Sequence, residues 1–172
     1  MHDPNVAAAQ IIGDAGGELV GRTRLQKIAY LSQLAGFGEE FEFEYRHYGP
    51  FSEGLAQGMD IAVALGYVVE EERQASWGGK YSIFKICGQD SPATTERSLF
   101  VKTAKSINAI ELELAATAAF LFVAEHRSDP WAETRRRKPE KAANGRIEQA
   151  MEGYKKLRAL KTVRPLPLLP DA

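Results

Sequence analysis

Apolar positions recur along most of this chain at helical spacing, interrupted by two short regions where they alternate with polar ones. Val6, Ala7, Ile11 and Ile12 predict a first helix over residues 5–15, ended by Gly16-Gly17. Thr23 stands at an N-cap position with Gln26 three residues on, a capping-box arrangement, and Leu25, Ile28, Ala29, Leu31, Leu34 and Ala35 form the buried stripe of a second helix closed by Gly36. Phe41-Glu42-Phe43-Glu44-Tyr45-Arg46 alternates in period two, which predicts a half-buried strand. Pro50 then fixes a turn, and Ser52 is placed to cap a helix whose Leu55, Met59, Ala62 and Val63 recur at three and four. Gly49, between strand and cap, reads as a turn residue, and Gly49→Val is expected to destabilise if the backbone there takes a positive φ. Residues 67–72 and 80–86 predict two strands joined through Trp77-Gly78-Gly79, a hairpin with a projecting tip.

Residues 88–95 are rich in turn formers and predict a connector, followed by a short helix over 97–105. Residues 107–126 predict a helix apolar on most of its surface, so other elements must surround it. Its longest apolar run falls short of the roughly 18 residues of a membrane span. Asp129-Pro130 is expected to break that helix, and Ile147, Met151, Tyr154, Leu157 and Leu160 mark a final amphipathic helix. The last ten residues, 163–172, contain Pro165, Pro167 and Pro170 and are expected to be extended or disordered. The expected fold is α+β: one globular domain over 1–162, mainly helical with a small antiparallel sheet. Its first half is winged-helix-like, and a central helix is buried in its second half.

A length of 172 residues with 44% hydrophobic content suits one core. The N-terminus shows no basic leader before an apolar segment, and the single cysteine, Cys87, forms no internal disulfide; a reducing, cytoplasmic setting without a membrane is expected. The net charge of -1 hides a polarity. Nine acids lie between Glu39 and Glu72 against Arg46 alone, while twelve bases and five acids lie between Arg127 and Arg164. Such halves suit attraction within the fold, head-to-tail pairing of two copies as a homo-oligomer, or steering of a charged partner; solvated faces are the bland alternative.

No residue pattern announces a reaction centre. His2, His47 and His126 are scattered, so no metal or other cofactor is expected. Cys87 ends an apolar strand, where a thiol is expected to pack as a small hydrophobe. The glycines at 13, 16, 17 and 21 lack phosphate-loop spacing. His47-Tyr48-Gly49-Pro50 offers an acid/base pair without an orienting third residue; as a rigid turn flanked by Tyr48 and Phe51 it offers a contact patch instead. The candidate partner-binding residues are therefore Tyr48, Phe51, Glu70, Glu71, Glu72 and Trp77. The cluster Arg135, Arg136, Arg137, Lys138 and Lys141 is the alternative candidate surface, for nucleic acid, expected on a solvated approach to the last helix. Against DNA, the helix after Ser52 carries Glu53, Gln57 and Asp60 and no Arg or Lys.

The runs Gly21-Arg22-Thr23-Arg24-Leu25-Gln26-Lys27-Ile28-Ala29-Tyr30-Leu31, Tyr45-Arg46-His47-Tyr48-Gly49-Pro50-Phe51-Ser52 and Leu65-Gly66-Tyr67-Val68 resemble the YwgA group of uncharacterised bacterial proteins. Residues 110–117 and Arg137-Lys138-Pro139-Glu140-Lys141 extend that resemblance over most of the chain. More distantly, the first half is similar to the SocA-like, or Panacea, antitoxin domain. That resemblance implies a non-enzymatic protein that binds another protein, such as a toxin, or delivers one to a protease.

Overall fold

The computed structural model describes residues 3–88 and 94–170. In chain order the elements are α1 (Pro4–Asp14), β1 (Glu18–Val20), α2 (Arg22–Leu34), β2 (Glu44–Arg46), β3 (Gly49–Phe51), α3 (Glu53–Ala64), β4 (Val68–Gln74) and β5 (Lys80–Ile86). Four helices follow: α4 (Glu96–Ser106), α5 (Ala109–Val123), α6 (Pro130–Arg137) and α7 (Arg146–Arg158). The strands form an antiparallel three-stranded sheet in the order β1-β5-β4 and a separate two-stranded hairpin, β2-β3. This is an α+β fold, as the hydrophobic pattern predicts.

The departures from expectation have local causes. β1 escapes sequence reading because only Leu19 of its three residues is buried, too short a stretch to display alternation. The Gly21 N–H continues that strand's pairing by donating to the Ser82 carbonyl at 2.8 Å. The chain then turns straight into α2, so the helix starts at Arg22, without a side-chain cap, and Thr23 lies within its first turn. The expected capping box is absent, and Gln26 is used elsewhere. The strand expected over 41–46 shrinks to Glu44–Arg46, because the Gln33 amide bonds both the N–H and the carbonyl of Phe41, each at 2.9 Å. A backbone served by a side chain has no need of a strand partner.

In the second half, α5 is the central pillar, with Leu112, Leu114, Ala115, Ala116, Ala118, Ala119 and Leu121 fully buried. α2, α6, α7 and β3 pack around it. α4 and α5 meet at 119°, and among the described residues no single helix is long and apolar enough to cross a membrane. Asp129-Pro130 starts a helix rather than only ending one. The Asp129 carboxylate accepts from the Ala132 N–H at 3.1 Å, and Pro130 sits in the first turn, where its missing N–H costs nothing. Arg135, Arg136 and Arg137 therefore lie on the last turn of a helix, while Lys138 caps it and Lys141 follows in the turns that lead to α7. Cys87 is exposed rather than packed, since β5 ends at Ile86. His2 and residues 89–93 of the expected connector lie outside the described residues. Residues 163–170 form neither helix nor strand and lie against the body: Leu166 and Leu169 are buried, and the Tyr154 hydroxyl donates to the Pro167 carbonyl at 2.6 Å.

Candidate functional site

The hairpin β2-β3 turns through His47-Tyr48, with Arg46 opposite Gly49 and Tyr45 opposite Pro50. Gly49 has φ +94°, a backbone conformation that strains any side chain, and a Cβ there would collide with Oγ1 of Thr117. The turn is held from beneath by three side chains. Lys27, 1% exposed, donates to the Pro50 carbonyl at 2.8 Å. The Lys138 ammonium donates to the His47 carbonyl at 3.0 Å. Gln26 acts as a substitute strand for Ser52, donating to its carbonyl at 3.0 Å and accepting from its N–H at 2.8 Å. Ser52 in turn caps α3 by accepting from the Leu55 N–H at 3.1 Å.

Below the hairpin, ionised groups gather where the sequence is otherwise apolar. Glu113, on α5 and buried, meets the Lys138 ammonium at 3.0 Å and the Lys141 ammonium at 2.8 Å. Lys27 lies in the field of the same carboxylate and of both lysines. Burial pulls the Lys27 ammonium down to about 8, with Glu113 opposing the shift and Lys138 and Lys141 reinforcing it by repulsion. Thr117 is fully buried and its hydroxyl has no hydrogen-bond partner. Three lysines thus share one carboxylate. The hairpin backbone supplies carbonyl oxygens to two of them, as buried ammonium groups require.

The solvent side differs in character. Tyr48 is half exposed, its ring edge-on to His47 with centroids 4.7 Å apart, and the Lys141 ammonium sits 4.6 Å from the Tyr48 ring centre. Arg46 stacks over Phe51 at 4.6 Å. An open groove between the hairpin and the chain after α6 is lined by Arg46, His47, Lys138, Glu140 and Lys141 together with Tyr45. On its other side, a pocket of about 310 Å³ lies among Arg22, Thr23, Gln26, Tyr48, Phe51 and Met59.

The structure brings Tyr48 and Phe51 together with Lys138 and Lys141, joining parts of two surfaces that the sequence presents separately. Trp77 stands apart, 76% exposed at the tip of the β4-β5 hairpin. The three glutamates of β4 do not form one acidic patch. Glu70 turns to Arg22 at 2.7 Å and to the Ser82 hydroxyl, Glu71 pairs with Arg73 at 2.9 Å and Lys85 at 3.2 Å, and Glu72 faces solvent. In the basic cluster, Arg137 is bound to Glu125 at 2.8 Å and Glu133 at 2.7 Å, and lies over the Tyr45 ring. Arg136 is bound to the same Glu133, whose carboxyl these two arginines hold down at about 2. Arg135 reaches Glu148 at 3.4 Å.

Sequence reasoning gives Gln26 to a cap and passes over Lys27, Glu113 and Thr117. Gln26 and Lys27 fall between the positions of the buried stripe, where polar residues are ordinary, and only Glu113, between Leu112 and Leu114 in an apolar helix, carries a signal in retrospect. A polar residue in an apolar pattern asks for a partner, but the pattern does not say which. Among the described residues, no group of three or more His, Cys, Asp or Glu is placed to hold a metal ion.

No family model matches the chain. The chain is 30% identical over 69 residues to the uncharacterized protein YwgA of Bacillus subtilis (strain 168). The match covers 39% of this chain and 42% of the length of YwgA.

Proposed function

We propose that this chain is a non-catalytic, protein-binding regulatory module of antitoxin or proteolytic-adapter type, acting in the cytoplasm, and that the β2-β3 hairpin is its docking surface. The observation that carries this reading is the pairing of an exposed aromatic tip with a backbone fixed from beneath by Lys27, Gln26 and Lys138. An anchor already held in shape loses less conformational freedom on binding, so more of its contact energy appears as affinity. Aromatic and arginine side chains grouped around such an anchor suit a binding hot spot. The likeness to YwgA is compatible with this reading but adds no activity. The SocA-like resemblance supplies the antitoxin expectation.

With the β2-β3 hairpin between α2 and α3 set aside, the order α1-β1-α2-α3-β4-β5, with β1 beside β5, also supports the winged-helix comparison. It does not favour duplex DNA as the ligand. α3, the helix that would enter a groove, contains no Arg or Lys, and Arg136 and Arg137 are already bound to carboxylates. The test is a photo-reactive phenylalanine analogue installed at position 48, with position 156 on the exposed side of α7 as control. A discrete protein adduct is expected from 48 and not from 156, and untagged wild-type chain, but not its Tyr48→Ala variant, should compete it away. Equal labelling from both positions, or competition unaffected by Tyr48→Ala, would remove the hairpin as the docking surface.

A further inference from the structure

We propose that the hairpin receives an acidic segment of its protein partner, a carboxylate of that segment seating on Lys141 and His47 beside the Tyr48 ring. This rests on the docking role of the hairpin and adds the partner's chemistry to it. The first ground is the count of charges beneath the turn. Lys27, Lys138 and Lys141 face Glu113 alone, so the cluster keeps uncompensated positive charge. Lys27 and Lys138 are buried, 1% and 7% exposed. Lys141, whose side chain is 34% exposed, is where that charge meets water.

The second ground is the groove itself. Arg46, Arg137, Lys138 and Lys141 line it against one acid, Glu140. Arg46 is shared with Glu44 at 2.7 Å and Glu53 at 3.4 Å, and Arg137 is held by Glu125 and Glu133, so neither contributes a full free charge. This rim of acids favours an acidic peptide over nucleic acid. One or two carboxylates can reach Lys141 past Glu140, whereas closely spaced phosphates would also approach Glu140 and the carboxylates that hold Arg46 and Arg137. Tyr48 gives an aliphatic part of the same segment an apolar face to rest on, and the imidazole of His47 is a second donor at the rim.

The experiment is an NMR titration of the whole chain with the peptide acetyl-Gln-Glu-Leu-Glu-Gln-amide, its all-Gln counterpart, and an octathymidylate. The acidic peptide should shift the signals of His47, Tyr48 and Lys141, and its affinity should fall about tenfold in Lys141→Gln while Lys141→Arg retains most of it. Melting curves should show both variants folded, because Lys138 still pairs Glu113; His47→Gln, which removes no buried charge, provides an independent loss. Equal binding of the all-Gln peptide, or an acidic peptide indifferent to both Lys141→Gln and His47→Gln, would overturn the proposal. Tighter binding of the oligonucleotide at the same residues would replace it with a nucleic-acid site. If cross-links from position 48 persist while the acidic peptide fails, only the partner's charge is wrong; if both fail, the docking role falls with it.

Discussion

Two hairpins project from this fold, each with an exposed aromatic residue near its tip, and they are built on opposite terms. The β4-β5 hairpin is seven residues long on each side and closes through its own backbone, the Ala75 N–H donating to the Gly79 carbonyl at 2.7 Å and the Gly78 N–H to the Ala75 carbonyl at 3.0 Å. The β2-β3 hairpin has three residues on each side, too few for independent stability, and takes its order from α2, α5 and the end of α6. The long hairpin is closed by its own ladder and its tip is free. The short one is dependent and its tip is fixed. Buried charge, which seldom improves stability over a well-packed apolar core, here supplies a defined backbone shape at one place on the surface.

The largest effect should come from Glu113→Ala. Removing the shared carboxylate leaves the Lys138 ammonium buried with only the His47 carbonyl and deprives Lys141 of its partner. A loss of roughly 3–5 kcal/mol is expected in chemical denaturation, with the hairpin loosened ahead of the rest. Next come the glycines of the two turns, which set the hairpins against each other directly. Gly49 and Gly78 have nearly the same φ, +94° and +92°, but a Cβ meets Thr117 at the first and open space at the second. Gly49→Val should cost about 3 kcal/mol, and Gly78→Val about 1 kcal/mol, the backbone strain alone. Equal losses in thermal melts would mean that the short hairpin is not closely seated on α5.

A smaller effect separates the hairpins by pH. Lys27 has an ordinary value of 10.5 lowered to about 8 in the folded chain, so between those values the unfolded chain binds more protons at this site. Its contribution to stability therefore rises as pH increases from 8 towards 10, relative to a Lys27→Met variant, which can be followed by urea midpoints. Above pH 10 the opposite trend enters, because burial holds the Tyr30 and Tyr154 hydroxyls protonated in the folded chain while the unfolded chain releases those protons. The smallest effect is that of Trp77→Ala. With the ring 76% exposed, the melting transition should stay within about 0.5 kcal/mol of wild type, leaving a variant that tests binding alone.

The legibility of this molecule in its sequence follows the same division. The long hairpin, the buried pillar α5 and the final amphipathic helix were readable, because periodicity reports which side of an element is apolar and each of these elements owes its form to that. Gly49 is also legible as a turn residue from its place between a strand and a cap, and the structure gives it a φ of +94°. Of the short hairpin, the first strand is legible in the alternation of 41–46, but β3 is Gly-Pro-Phe, carries no strand pattern and reads as a turn; its pairing is imposed by tertiary contacts. Thr23 and Gln26 satisfied the capping rule and were not used for it, because β1, itself too short to see, delivers the chain into α2 two residues earlier. The candidate site was half legible. Its exposed ring, Tyr48, stood out, while the lysines beneath it, 91 residues apart in the case of Lys138 and His47, become neighbours only in the fold.

Native-state hydrogen exchange across the two hairpins tests most directly whether the short one is held in shape by the charges beneath it. In the wild-type chain, amides of residues 44–52 should exchange as slowly as those of α5 while amides of 75–79 exchange quickly, and Glu113→Ala or Lys27→Met should release the first set and leave the second unchanged. Rapid exchange over 44–52 in the wild-type chain, or slow exchange there that survives both substitutions, would contradict the account.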